Sequence, residues 1–255
     1  MVENQEYALE ARGIGRRFGD FWAVKDVDLK IRRGSIHAMI GPNGAGKTTC
    51  FNLLTKTLQP STGKIILNGE DISKLRTSDV AKKGMARSFQ ISATFPDLTV
   101  LENVRVALQA NHGSAWRFWS PIRSIYSLNQ RCEELLDQVG LLDAHDLKAS
   151  DLSYGKKRAL EIATTLGLEP EVMLLDEPTA GMGHEDIEPI TALIRKVSAG
   201  RTIVIVEHNL SVVSTLSDRI TVLQAGQVLM EGDYAEVSAD ERVIAAYMGG
   251  VDDAA

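Results

Sequence analysis

Cysteine is scarce in this 255-residue chain, which carries only Cys50 and Cys132. Two thiols so placed fit neither a zinc-ligand spacing nor a disulfide framework, and they are expected to stay unpaired in a reducing compartment. Long apolar runs are also missing. None approaches the roughly 20 residues that a membrane helix needs, so the chain is expected to reach a membrane only through a partner. There is no excess of basic residues: 28 Lys and Arg stand against 34 Asp and Glu, a net charge of −6. That balance favours solubility and argues against nucleic acid as a partner, which is usually held by a basic face. The opening segment Met1–Glu10 is polar and acidic, unlike a secretory signal. No low-complexity tract and no repeat is evident.

What is present begins with a hydrophobic share of 44%, enough for a substantial core. Ala23 to Ile31 alternates, with Val27, Leu29 and Ile31 apolar against Asp26, Asp28 and Lys30, which predicts a strand with one wet face. Ile36 to Ile40 leads through a Gly-rich turn into a helix expected over Lys47 to Thr57. Two short, almost wholly apolar runs, Val172 to Leu175 and Thr202 to Val206, are too short for helices and read as strands buried on both faces. Helical patterns cover Tyr154 to Leu166 and Ile187 to Val197, and Ala225-Gly226 signals a hairpin between Arg219–Leu223 and Gln227–Met230. Between Thr99 and Leu152 the patterns are helical only, at Leu101 to Ala110 and Gln130 to Val139. This stretch is expected to be a helical subdomain inserted into an α/β core, with Trp116 and Trp119 packed among its helices.

Gly41-Pro42-Asn43-Gly44-Ala45-Gly46-Lys47-Thr48, followed by Thr49, matches the G-x-x-x-x-G-K-[ST] phosphate loop at every position, between an apolar strand and a helix. The glycines let several N–H groups converge on phosphate oxygens, and the helix N-terminus adds partial positive charge. Lys47 is placed to reach the β- and γ-phosphates, and the Thr48 hydroxyl to coordinate Mg²⁺. Gly13-Ile14-Gly15 makes no dinucleotide fingerprint, since position 18 is Phe. Val172 to Leu175 runs into Asp176-Glu177-Pro178. Asp176 can hold Mg²⁺ through its water shell. Glu177, one residue on, can polarise an attacking water.

Three further segments narrow the reading. Leu152-Ser153-Tyr154-Gly155-Lys156 resembles the LSGGQ signature of ABC proteins, Gln90 after Arg87-Ser88-Phe89 resembles their Q-loop, and His208 resembles their switch histidine. In order and spacing the chain resembles an ABC nucleotide-binding domain from about Tyr7 to Gly232. The resemblance implies a P-loop NTPase (RecA-like) core with an antiparallel β subdomain and an inserted helical subdomain. On that division, 1–98 and 153–255 form the ATP-binding core and 99–152 the helical subdomain, all within one nucleotide-binding domain. It implies ATP with Mg²⁺, held in a dimer in which the Ser153 and Gly155 end of one subunit faces the γ-phosphate bound by the other. Ser153 also suits the cap of a helix starting at Tyr154. The run Lys156-Lys157-Arg158 puts positive charge at that helix start, which either serves an anion or is solvated surface. Gln90 would touch the metal and the attacking water. His208 would align the γ-phosphate with Glu177, and Phe18 in Arg17-Phe18-Gly19 would stack on adenine, with Trp22 as competitor and core packing as the alternative for Phe18. Tyr154 and Lys156 depart from the signature. Ala180-Gly181-Met182-Gly183 stands where many relatives carry SALD, so the usual aspartate contact across the dimer is missing.

A guanine-reading N-K-x-D segment is absent, which argues against a GTPase. One set of motifs and no long coiled coil argue against repair or translation factors, while an accessory ATPase without a permease stays open. The LSYG-type signature, Ala180-Gly181-Met182 and the aromatic segment Asn111 to Tyr126 resemble the branched-chain amino acid import group. Urea and amide importers and lipopolysaccharide exporters are similar alternatives. The resemblance implies an ATPase lying peripherally on the cytoplasmic face of the cell membrane. Its partners would be a second nucleotide-binding subunit, identical or similar, transmembrane permease subunits near Gln90 to Thr99 and, indirectly, a periplasmic substrate-binding protein. Phe95 is expected either to dock on the permease or to pack inside the helical subdomain.

Overall fold

The computed structural model describes residues 6–87, 94–111 and 128–248. Two sheets organise them. One is antiparallel, in the order β2-β1-β4-β5, built from β1 (Tyr7–Phe18), β2 (Phe21–Arg32), β4 (Thr62–Leu67) and β5 (Glu70–Asp71). The other has the order β10-β9-β3-β8-β7-β6, from β3 (Ile36–Ile40), β6 (Met85–Arg87), β7 (Val172–Asp176), β8 (Thr202–Val206), β9 (Arg219–Gln224) and β10 (Gln227–Gly232). Its strands from β9 across to β6 run parallel, and β10 returns antiparallel at the edge.

The continuous apolar runs behave as parallel strands covered on both faces should. Every residue of β3, β7 and β8 is buried, and successive side chains serve opposite layers. Met173, Leu175, Ile203 and Ile205 join a core with the helices Tyr154–Leu166 and His184–Val197. Val172, Leu174, Val204 and Val206 join a second core with Phe51 of the helix Lys47–Leu54 and Leu9, Leu29 and Ile65 of the antiparallel sheet. Helices Val100–Asn111 and Asn129–Gln138 pack on each other and on Tyr154–Leu166. Cys50 and Cys132 are unpaired and buried, one in each core, and burial pushes their thiols up to about 12 and about 11. Trp116, Trp119 and the rest of 112–127 lie outside the described residues.

One local expectation is corrected, and one element appears that no expectation covered. The helix from Lys47 ends at Leu54 rather than Thr57, because Lys56 takes a left-handed backbone (φ 59°) and its ammonium bonds the Ser73 carbonyl at 2.6 Å. A long strand, β1, lies where no alternation is legible. Its register shifts repeatedly against β2, and each bulge resets which side chain faces inward. Gly13 and Gly15 belong to these irregularities. The Gly13 N–H donates to Asp28 at 2.7 Å, and a Cβ at Gly15 would stand 2.6 Å from the Thr62 hydroxyl.

Candidate functional site

The phosphate loop leaves the C-terminal end of β3 and enters the helix Lys47–Leu54. Two of its glycines are required by close approach. A Cβ at Gly41 would lie 2.2 Å from the Leu223 carbonyl oxygen, and one at Gly46 would lie 2.6 Å from that of Ala23. Gly44 (φ 77°) instead turns toward open space, with nothing within 4 Å of where a Cβ would be. Ala45 is buried beneath the loop, Asn43 and Thr48 are exposed, and Pro42 and Thr49 are half-buried. The Lys47 ammonium donates to the Gly41 and Pro42 carbonyls at 2.7 and 3.0 Å, which holds it across the mouth of the loop. Burial lowers its pKa, and the nearby Glu177 charge opposes that shift.

β3, β8 and β7 are immediate neighbours, so the phosphate loop, His208 and the Asp176-Glu177 pair all emerge at one edge of the sheet. Ligand crevices of open α/β sheets form at such strand ends. Asp176 is 3% exposed and accepts a hydrogen bond from Arg87 at 3.0 Å. Its carboxyl pKa is raised by burial, a shift that Arg87 counteracts. Glu177 takes a left-handed backbone (φ 44°), an uncommon conformation for a non-glycine residue that costs on the order of 1–3 kcal/mol. The turn is fastened by Glu177 N–H to the Val206 carbonyl at 2.9 Å and by Ala180 N–H to the Glu177 carbonyl at 3.0 Å. His208 Nδ1 then stands 4.0 Å from Glu177 Oε1, with both side chains reaching solvent. Backbone strain of this kind clusters where a side chain must be aimed.

Ser153 sits at the N-cap of the helix Tyr154–Leu166, but its hydroxyl makes no capping bond, contrary to expectation. The side chain is exposed. Gly155 is buried against the next helix, where a Cβ would meet Asp186 Oδ1 at 2.5 Å. Among the described residues neither Ser153 nor Gly155 bonds the phosphate loop of the same chain. Tyr154, the departure from the signature, donates its phenol to the Ala180 carbonyl at 2.9 Å. Phe18 is 46% exposed and belongs to neither core, with the Arg16 guanidinium 4.8 Å from its ring. Core packing is therefore not its role. Trp22 is half-buried and packs toward Gly15. Gln90, with the neighbouring Ile91, Ser92 and Ala93, lies outside the described residues.

Two residues of the site carry no sequence signal of their own. Arg158, grouped with the lysines before it, folds inward. It donates to the carbonyls of Pro178 (3.0 Å), Asp176 (3.1 Å) and Glu177 (3.1 Å), and pairs with Glu161. Lys156 is exposed and Lys157 half-buried. Glu207, at the end of β8, is fully buried and accepts bonds from Thr179 and from the backbone of His208 and Asn209.

Mg²⁺ takes oxygen donors, commonly one or two from protein with the remainder from phosphates and water. Thr48 and Asp176 supply donors of that kind. No cluster of three or more His, Cys, Asp or Glu that could hold a metal exists among the described residues. The donor set therefore fits a metal carried with a nucleotide better than a free-standing centre.

A family model described as ABC transporter matches residues 24–180, and a second, described as branched-chain amino acid ATP-binding cassette transporter, matches 227–253. The chain is 37% identical over 248 residues to the high-affinity branched-chain amino acid transport ATP-binding protein BraF of Pseudomonas aeruginosa, covering 94% of this chain and 97% of that one. The ADP conformation of MJ1267, an ATP-binding cassette of an ABC transporter, superposes with a TM-score of 0.84 at 27% identity, over 96% of this chain and all of the other. A dimeric post-hydrolysis state of the cassette MJ0796, bound to ADP and Pi, gives 0.73 at 26% identity, over 89% and 98%. No described helix is long and apolar enough to cross a membrane. The expected fold is thus the observed one, and the chain belongs to the ABC transporter family as an ATP-binding, ATP-hydrolysing cassette.

Proposed function

We propose that this chain powers uptake of branched-chain amino acids through a separate permease. The observation that carries the cargo is the match of residues 227–253 to the branched-chain family model, a segment whose described part forms β10 and the helices Tyr234–Ala239 and Glu241–Met248 rather than a catalytic motif. The identity with BraF supports the same reading. Two cassettes, identical or similar, would close on two ATP molecules, as the dimeric MJ0796 cassette suggests. The assembly would sit peripherally on the inner face of the membrane and draw on a periplasmic binding protein indirectly.

Within that reading Lys47 and the N–H groups of residues 41–49 hold the β- and γ-phosphates, and Phe18 lies under adenine. Thr48, Asp176 and Gln90 would hold Mg²⁺, which neutralises developing charge on the phosphoryl oxygens when bound. Glu177 accepts the proton of the attacking water, and His208 aligns Glu177 with the γ-phosphate. Ser153 and Gly155 serve the nucleotide of the opposite subunit, consistent with an exposed serine that bonds nothing in its own phosphate loop. Phosphoryl transfer needs positioning and charge stabilisation more than covalent chemistry, and this site offers both.

The division into a core (1–98 and 153–255) and a helical subdomain (99–152) gives the motion a route outward. Phe95 is 53% exposed and borders a groove of about 170 Å³ with Val106, Ala110 and Leu168. Asn103 pins its backbone on both sides, accepting from Phe95 N–H at 2.7 Å and donating to its carbonyl at 3.1 Å, so the ring is displayed from a fixed loop. We take this groove as the permease contact. Vesicles reconstituted with permease and binding protein should take up leucine on ATP addition, and Phe95→Asp should abolish uptake while sparing ATP binding. Unchanged uptake in the variant would reject the docking site, and a complex that moves urea or a lipid but no amino acid would reject the cargo.

A further inference from the structure

The buried Glu207 has no part in the sequence motifs, yet it touches both flanks of the Glu177–His208 pair. Its side chain is fully buried one residue beyond β8. Oε1 accepts from the Thr179 N–H at 3.0 Å and from the Thr179 hydroxyl at 2.7 Å. Oε2 accepts from the backbone N–H of His208 at 3.1 Å and of Asn209 at 3.4 Å. No Lys, Arg or His pairs with it among the described residues. An ionised carboxylate offers about four acceptor sites, and four donors meet them here.

We propose that Glu207 is a positioning residue for ATP hydrolysis, its carboxylate clamping the turn that carries Glu177 to the turn that carries His208. The proposal deepens the assignment of Glu177 and His208 to hydrolysis and rests on it. Thr179 lies two residues beyond Glu177, and His208 is the next residue after the clamp. A loosened clamp therefore alters the Glu177–His208 separation first. The phosphate loop is held by other contacts, the Gly226 N–H to the Ala45 carbonyl at 3.0 Å and its own Lys47 to the Gly41 carbonyl. The clamp also reaches Thr179 just before the loop where the usual aspartate is missing. Tyr154 holds the following residue through the Ala180 carbonyl, so the entry to that loop is tied down at two consecutive residues.

Glu207→Gln is the discriminating change, because it keeps the shape and replaces one acceptor oxygen by an NH₂ group. Either orientation sets that group against main-chain N–H donors, which cannot reverse; only the Thr179 hydroxyl can. On the full chain, kcat for ATP should fall about 10- to 100-fold, with KM and nucleotide affinity within about threefold, the pattern of a loss felt in the transition state. Thr179→Val should reproduce part of the loss, Thr179→Ser should restore it, and Glu207→Gln with Thr179→Val should be no worse than Glu207→Gln alone. Turnover of Glu207→Gln within threefold of wild type, or a kcat loss matched by an equal loss of nucleotide affinity, would overturn the proposal. If Glu207→Gln does not fold, the Thr179 pair decides: equal activity in Val and Ser variants also overturns it. Wild-type protein that binds ATP without turnover would sink the underlying hydrolysis assignment, and the clamp with it.

Discussion

Replacing Arg158 with methionine tests whether the signature helix and the acidic strand end form one rigid unit. The arginine side chain is 12% exposed and its Glu161 partner 8%, so both charges are largely withdrawn from water. Methionine keeps the stem and removes the head. It strands the Glu161 carboxylate, and breaking a buried pair from one side costs about 3–5 kcal/mol. The Asp176, Glu177 and Pro178 carbonyls also lose their charged donor, a loss that water can partly replace. A net destabilisation of about 4 kcal/mol is a large part of the roughly 5–15 kcal/mol that holds a domain folded. For a chain of this size it lowers Tm by roughly 8–16 °C. Urea unfolding followed by circular dichroism, with an unchanged m-value, measures it. Arg158→Met with Glu161→Met should recover stability, since no uncompensated charge remains. A loss below about 1 kcal/mol for the single variant, or no recovery in the double, would refute the account.

Glu177→Gln keeps side-chain size and removes the charge that polarises water. Turnover should fall by orders of magnitude while ATP binding persists and ATP holds a dimer visible by light scattering; near-normal turnover removes Glu177 from that role. Lys47→Ala should weaken nucleotide binding in the monomer, whereas Ser153→Arg should spare it and block dimer closure, and equal losses of monomer binding would contradict a shared site. Acid should also unfold the chain partly through His37, which is buried, bonded to the Thr221 hydroxyl at 2.8 Å and faced by Arg219 and Glu231. Burial lowers its pKa from 6.5 to about 4, so the unfolded chain binds the extra proton. This contribution is complete above pH 6.5 and is lost as pH falls toward 4, by up to about 3 kcal/mol. Chemical denaturation of His37→Gln against wild type should show a flatter slope in that window, and parallel curves would disprove it.

The chemistry legible in the sequence is carried by contiguous residues. The phosphate loop and the Asp176-Glu177 strand end are local patterns, and the apolar runs at β7 and β8 need no distant partner to be recognised. Arg158 and Glu207 were not legible, because their roles depend on carbonyls and donors 18 to 28 residues away that only the packed sheet brings near. Their neighbours also misled: Arg158 follows two lysines and looks like solvated charge, and Glu207 stands beside the more telling His208. β1 escaped because its bulges break the alternation that marks a strand. Ser153 stands at the helix start, as its place in the sequence implies, yet its hydroxyl makes no bond to that helix, a detail the sequence does not encode.

The adjacency of β3, β8 and β7 has a mechanical meaning. Strands in a sheet are held about 4.8 Å apart by their ladder bonds, so the roots of the phosphate loop and of Glu177 stand about two such spacings apart, with the root of His208 between them. These roots work like teeth of a comb whose back is buried on both sides. Such a comb cannot open or close by the sub-ångström adjustments that loops make easily. Adaptation within this framework can therefore exchange the tips of the teeth residue by residue, whereas inserting or deleting one residue within β8 would turn every following side chain to the opposite layer and take the histidine out of line.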